Sequence, residues 1–196
     1  MSIATTPTWP PPVAPPAGER LNLGCGTDIR DGFVNLDVAA LPGVDVVHDL
    51  DRLPLPFEAN RFAEIVCKDV LEHIDLVAVL RECHRILVPG GLLHVQAPHF
   101  TSSSYFADPT HRTAFSIDTL HFFSGTGRHT DRSYYFDFRF SRIADERITF
   151  HHNYLKPWNA LVEPLVNHSP KAQVYYEETF LARAFPALNV QVTLVK

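Results

Sequence analysis

The sequence is short of basic residues, of cysteine and of long apolar runs, and each shortage closes off a class of function. Lys and Arg number 17 against 22 Asp and Glu, a formal charge of −5. A domain that grips a nucleic-acid backbone carries a basic face, so no nucleic-acid partner is expected. No apolar stretch nears the roughly 20 residues that span a bilayer, so no membrane partner is expected either. The three cysteines, Cys25, Cys67 and Cys83, form no CxxC pair and no zinc spacing, which fits a reduced compartment. Residues 1–19 hold no Lys or Arg and no unbroken apolar stretch, which speaks against a secretory signal. A soluble, cytoplasmic protein is the expectation. What is present, 45% hydrophobic and 20% charged residues in a chain of 196, suits one globular domain.

Prolines crowd the start: six fall within residues 7–16, so residues 1–19 read as a flexible, extended leader. An alternative has Trp9 fold over the active site or onto a second subunit. From Arg20 to the end at Lys196 the chain reads as a single α/β domain. Strands are predicted over residues 20–23, 33–36, 44–47, 62–67 and 92–96. Leu76, Val79, Leu80, Cys83, Ile86 and Leu87 recur at three- and four-residue intervals, the pattern of an amphipathic helix over 76–87. Pro89-Gly90-Gly91 then stops it. Such alternation predicts a mainly parallel sheet with helices on its faces. Residues 97–135, rich in Ser, His and aromatics, read as an inserted lid. Beyond it, 136–151 reads as one long strand or a hairpin turning near Ala144-Asp145, 171–184 as a helix, and 189–195 as a closing strand.

The ordered succession LNLGCG, VNLDV, VHDLDRLPLPFEANRFAEIVCKDVLEHI and LRECHRILVPGGLLHVQAPH resembles a class I S-adenosylmethionine (SAM) dependent methyltransferase over residues 20–99. The resemblance implies a Rossmann-like sheet with an antiparallel closing strand, and SAM as cofactor. It assigns the loop Gly24-Cys25-Gly26 to the methionine part of SAM and Asp37 to the ribose hydroxyls. Asp49 and Leu50 would flank the adenine, and Asp69 and Val70 would line the methionine side. Elementary chemistry agrees: glycines let backbone pass close to a ligand, and open α/β sheets bind ligands beyond their strands' carboxyl ends. Each residue also has a plainer role, as tight-turn glycines, solvated strand-end carboxylates or, for Asp69, a helix cap. Glu72 and His73 read as fixing a helix start, and Cys25 as a packing residue. A dinucleotide fingerprint needs a third glycine where Ile29 stands, which disfavours NAD.

Only about six residues separate Gly26 from the second strand, so the first helix of this fold is cut to a turn. The thinner cover makes a homodimer an expectation. The acceptor approaches, in the family resembled, from beyond the fourth and fifth strands. There His111, supported by Asp108, is the first candidate for the base that takes the acceptor's proton, and His99 the second. An Asp-Pro-Thr-His turn also suits a divalent metal, but the other histidines lack compact ligand spacing, and no metal is expected. Arg112 is read as pairing with an acidic substrate group or with Asp108. The aromatics Phe100, Tyr105, Phe106, Phe115, Phe122, Phe123, Tyr134 and Tyr135 suggest either an apolar acceptor pocket or a small core under the lid. The expectation is therefore an O- or N-methyltransferase of a small-molecule acceptor. The alternative is a SAM-binding protein that transfers no methyl group.

Overall fold

The computed structural model describes residues 14–153 and 156–196, so residues 1–13, with most of the proline-rich leader and Trp9, lie outside it. The strands are β1 (Glu19–Leu23), β2 (Val34–Asp37), β3 (Val46–Val47), β4 (Phe62–Lys68), β5 (Leu87–Pro98), β6 (Arg142–Thr149) and β7 (Asn189–Val195). They form one sheet in the order β3-β2-β1-β4-β5-β7-β6. The first five run parallel, while β7 is antiparallel to both β5 and β6. Strands covered on both faces need apolar residues at successive positions, and β4 supplies them in Ile65, Val66 and Cys67, all buried.

Helix α1 (Leu76–Ile86) carries the chain from β4 back to β5. It starts where Asp75 accepts a hydrogen bond from the Ala78 N–H at 3.0 Å, and it lays Val79, Leu80, Cys83 and Ile86 against the sheet. Cys67 and Cys83 meet at this sheet–helix contact, and all three cysteines are free and buried. Glu82 is the polar exception on the buried face. It accepts from the Leu55 N–H at 2.8 Å and from Arg85 at 2.7 Å, which ties the β3–β4 loop to the helix.

Several expectations need correction. The strand at residues 136–151 is shorter: β6 begins at Arg142, and the turn expected at Ala144-Asp145 is a register shift between Ile143 and Asp145 rather than a hairpin. The helix at 171–184 is two, α4 (Pro170–Glu178) and α5 (Leu181–Ala184), preceded by α3 (Asn159–Val166). The fifth strand starts at Leu87, directly after α1, with the Pro89-Gly90-Gly91 turn inside it. The lid region holds a short helix, α2 (Ser103–Ala107), and two 3₁₀ turns, Thr119–Phe123 and Thr130–Tyr135. Its aromatics do not line one pocket. Phe115 and Phe123 join the main core, whereas Phe106, Tyr134 and Tyr135 are exposed. No described helix joins β1 to β2 or β2 to β3, and Ile29, Val38, Leu41 and Val47 stay exposed along that edge. No described helix is long and apolar enough to cross a membrane.

Candidate functional site

The turn after β1 is built by hydrogen bonds to β2. Gly24 and Cys25 both donate their N–H to the Leu36 carbonyl, at 2.8 and 3.0 Å. Gly24 sits at φ +67°, and a Cβ there would lie 2.4 Å from Cγ2 of Val70, so the position excludes any side chain. Asp37, ending β2, accepts the Gly26 N–H at Oδ2 (2.7 Å) and the Ala39 N–H at Oδ1 (2.9 Å). A carboxylate offers about four lone-pair sites, so Asp37 retains acceptor capacity.

This turn floors a cavity of about 250 Å³ at the carboxyl ends of β1, β2 and β4, walled by Gly24, Asp37, Asp49, Leu50, Asp69 and Val70. Val38, His73 and Ile74, which sequence did not assign to it, complete the wall. Asp69 adopts φ +56°, a strained conformation for a residue other than glycine, and its N–H donates to the Gln96 carbonyl at 2.8 Å. The Gln96 amide in turn donates to the Asp69 carboxylate at 3.2 and 3.3 Å. Gln96 also lines a second cavity of about 430 Å³ with Lys68, Arg147, His151 and Glu163. A still larger one, about 470 Å³, is lined by His121, Arg128 and Glu146. There His121 Nε2 meets Glu146 at 2.6 Å and Arg128 Nη1 meets it at 3.3 Å, while Arg128 Nη2 is buried without a hydrogen-bond partner among the described residues.

Glu72 and His73 do not start the helix, since Asp75 caps it. Glu72 is fully buried beside His111, with Oε1 3.9 Å from Nε2 of the imidazole, and burial pushes its carboxyl up to about 7. The segment after β5 is pinned here by its backbone: the Arg112 and Thr113 N–H groups donate to the Glu72 carbonyl at 2.7 and 3.2 Å. The His73 and His111 rings lie 4.6 Å apart. His111 Nδ1 donates to the Tyr105 carbonyl at 2.8 Å, which leaves Nε2 with its lone pair turned inward.

The remaining candidates lie elsewhere. His99 is fully buried, with Nδ1 bonded to Thr101 at 2.7 Å and Nε2 to Glu177 at 3.0 Å, and it lines none of these cavities. Asp108 is exposed and supports Thr110, accepting its N–H at 2.8 Å and its O–H at 2.7 Å. Its link to the histidines therefore runs through Thr110 to His73, not directly to His111. Arg112 pairs with Asp51 at 3.4 Å rather than with Asp108, joining the segment after β5 to the β3–β4 loop.

Residues 15–95 match the family model described as a methyltransferase domain. No protein with a curated description matches the sequence. Solved structures similar in fold include a SAM dependent methyltransferase from Archaeoglobus fulgidus (TM-score 0.58, 15% identity, covering 91% of this chain and 86% of that one). A putative sarcosine dimethylglycine methyltransferase from Galdieria sulphuraria is similar at TM-score 0.56 and 16% identity, covering 91% of this chain and 78% of that one. A SAM-dependent methyltransferase from Thermotoga maritima, described as a possible histamine N-methyltransferase, follows at 0.54 and 16%, covering 92% and 83%.

Proposed function

We propose that the chain is a class I SAM-dependent methyltransferase that moves the methyl group of SAM to an oxygen or nitrogen of a small-molecule acceptor, a reading supported by the methyltransferase-domain match over residues 15–95 and by the shared fold. One observation carries the reading. The cavity at the strand ends combines a side-chain-free turn at Gly24, the three carboxylates of Asp37, Asp49 and Asp69, and an apolar wall of Val38, Leu50, Val70 and Ile74. That donor set suits SAM. Asp37 accepts from ribose hydroxyls with its unused lone pairs, Asp49 accepts from the adenine amino group, and the apolar wall covers the adenine faces. Gly24, Asp69 and Val70 hold the methionine end, while Cys25 and Gly26, which shape the turn through Leu36 and Asp37, do not themselves line the cavity. When bound, SAM supplies an electrophilic methyl on a sulfonium.

The acceptor is received where His73 borders the cavity, against the inward-facing polar group of Glu72, His73 and His111. That group polarises the acceptor and eases loss of its proton. His111 is the lid's contribution, as its position after the fifth strand suggested. His99 and Asp108 act by holding the lid.

The test is calorimetric titration with SAM, S-adenosylhomocysteine and NAD, in the wild type and in Asp37→Ala, followed by measurement of S-adenosylhomocysteine formation over panels of hydroxyl and amine acceptors. Binding of the two adenosyl ligands with turnover on one panel supports the reading. Tight binding with no turnover on any panel favours a SAM-binding protein without methyl transfer. Binding of NAD alone sinks both.

A further inference from the structure

Glu72 and His73, on the loop between β4 and α1, meet His111 of the lid so that one ligand-capable atom from each lies within 4.8 Å of the others. Neither carboxylate oxygen of the fully buried Glu72 reaches a hydrogen-bond partner in another described residue. A buried carboxylate in that condition is costly unless it is neutralised or paired. His111 does not satisfy it by hydrogen bonding, because 3.9 Å is too long.

Both imidazoles are oriented from their outer nitrogens. Thr110 gives its hydroxyl proton to Asp108, so at 2.8 Å it accepts from His73 Nδ1, while His111 Nδ1 donates to the Tyr105 carbonyl. Each Nε2 therefore keeps a lone pair. Metal-ligating histidines are held in this way, one nitrogen donating to an oxygen and the other free to coordinate. We infer that Glu72, His73 and His111 form a binding site for a divalent metal ion, held by the Glu72 carboxylate and Nε2 of each histidine. Two imidazoles and a carboxylate suit zinc, cobalt or manganese better than magnesium or calcium, and three protein ligands leave coordination positions open.

The site has a place in the fold as well as a donor set. His73 lines the cofactor cavity, and the two N–H groups on the Glu72 carbonyl hold the lid where His111 completes the set. A cation here borders the cavity and would acidify an acceptor hydroxyl that coordinates it. That role rests on the methyl-transfer reading; the binding site does not.

The experiment uses the full chain, stripped of metal with chelator and dialysed. Cobalt(II) is titrated in while visible absorption is followed, and zinc is added afterwards to displace it. We expect saturation near a single equivalent, displacement by zinc, and loss of affinity by more than about a hundredfold in His73→Ala and Glu72→Gln. Thr110→Val, which touches only the outer support, is expected to cost about tenfold to a hundredfold. His73 is only half-buried, so His73→Ala keeps the test valid if circular dichroism finds Glu72→Gln unfolded. Absence of saturable cobalt binding, or binding unchanged in His73→Ala, overturns the site. A parallel SAM titration of the same sample separates the two ideas, since either ligand can bind without the other.

Discussion

The Gly26 N–H donates to Oδ2 of Asp37 at 2.7 Å, so the turn that ends the first strand is fastened to the last residue of the second. One carboxylate thus shapes this turn and faces the cavity. Asp37→Ala removes both functions. Losing two charge-assisted hydrogen bonds at about 1.5 kcal/mol each lowers SAM affinity by roughly a hundredfold. Calorimetry reads this directly, and an affinity within about threefold of wild type would remove Asp37 from the site.

Gly24→Ala places a methyl 2.4 Å from Cγ2 of Val70 and imposes φ +67° on an alanine. Overpacking and the left-handed backbone together cost about 2–4 kcal/mol, visible as a lower urea midpoint. Adding Val70→Ala relieves the contact but not the backbone. The double variant should recover part of the loss relative to a Val70→Ala reference.

Glu82 gives the protein an acid sensitivity of known sign. The Arg85 hydrogen bond holds its carboxyl below the usual carboxylate range, despite the opposing effect of burial. A lowered folded value contributes stability that is complete above the unfolded value of about 4.3 and is lost as pH falls through the folded value. Glu82→Gln is therefore less stable at neutral pH by about 1.5–3 kcal/mol, and its urea midpoint falls less than that of the wild type on acidification. Parallel slopes for the two proteins between about pH 6 and 3 would contradict this.

His99→Ala is a stability variant in this structure, not a catalytic one. Glu177 Oε1 bonds both His99 Nε2, at 3.0 Å, and the Ile117 N–H, at 2.7 Å, so the substitution leaves a nearly buried carboxylate short of a partner. The expected loss is about 2–4 kcal/mol with SAM affinity unchanged. Thermal denaturation and calorimetry together check both halves.

The parallel half of the fold was legible because covered strands ending in Gly or Asp leave an ordered trace in the sequence. Gly24, Asp37, Asp49, Leu50, Asp69 and Val70 all reach one cavity. Residues 136–140 misled for a physical reason. Phe136, Phe138 and Phe140 alternate with polar residues as a strand would, but this segment packs on Phe123 and on α1 instead of extending β6. Phe138 and Phe140 lie 5.9 and 5.3 Å from the His84 ring, and Asp137 pairs with Arg81 at 2.8 Å. Packing across an extended segment repeats every second residue whether or not a neighbouring strand exists.

Glu72 and His73 were illegible for another reason. An acidic residue shortly before an amphipathic run reads as a helix cap, and only the structure shows that Asp75 already fills that role. Their meeting with His111 depends on how the lid folds back, which no local spacing encodes.

The thiols of Cys67 and Cys83 make the crossover from β4 through α1 to β5 its own reporter. Both are wholly shielded, and the hydrogen-bond contact with Cys83 together with burial pushes the Cys67 thiol well above its ordinary value. A disulfide-exchange reagent reaches them only when α1 parts from the sheet, so their labelling rate times that opening. The helix that must lift is the one whose leading loop carries Glu72 and His73. The same clock, run with and without SAM or metal, would register how firmly each ligand holds that part of the molecule shut.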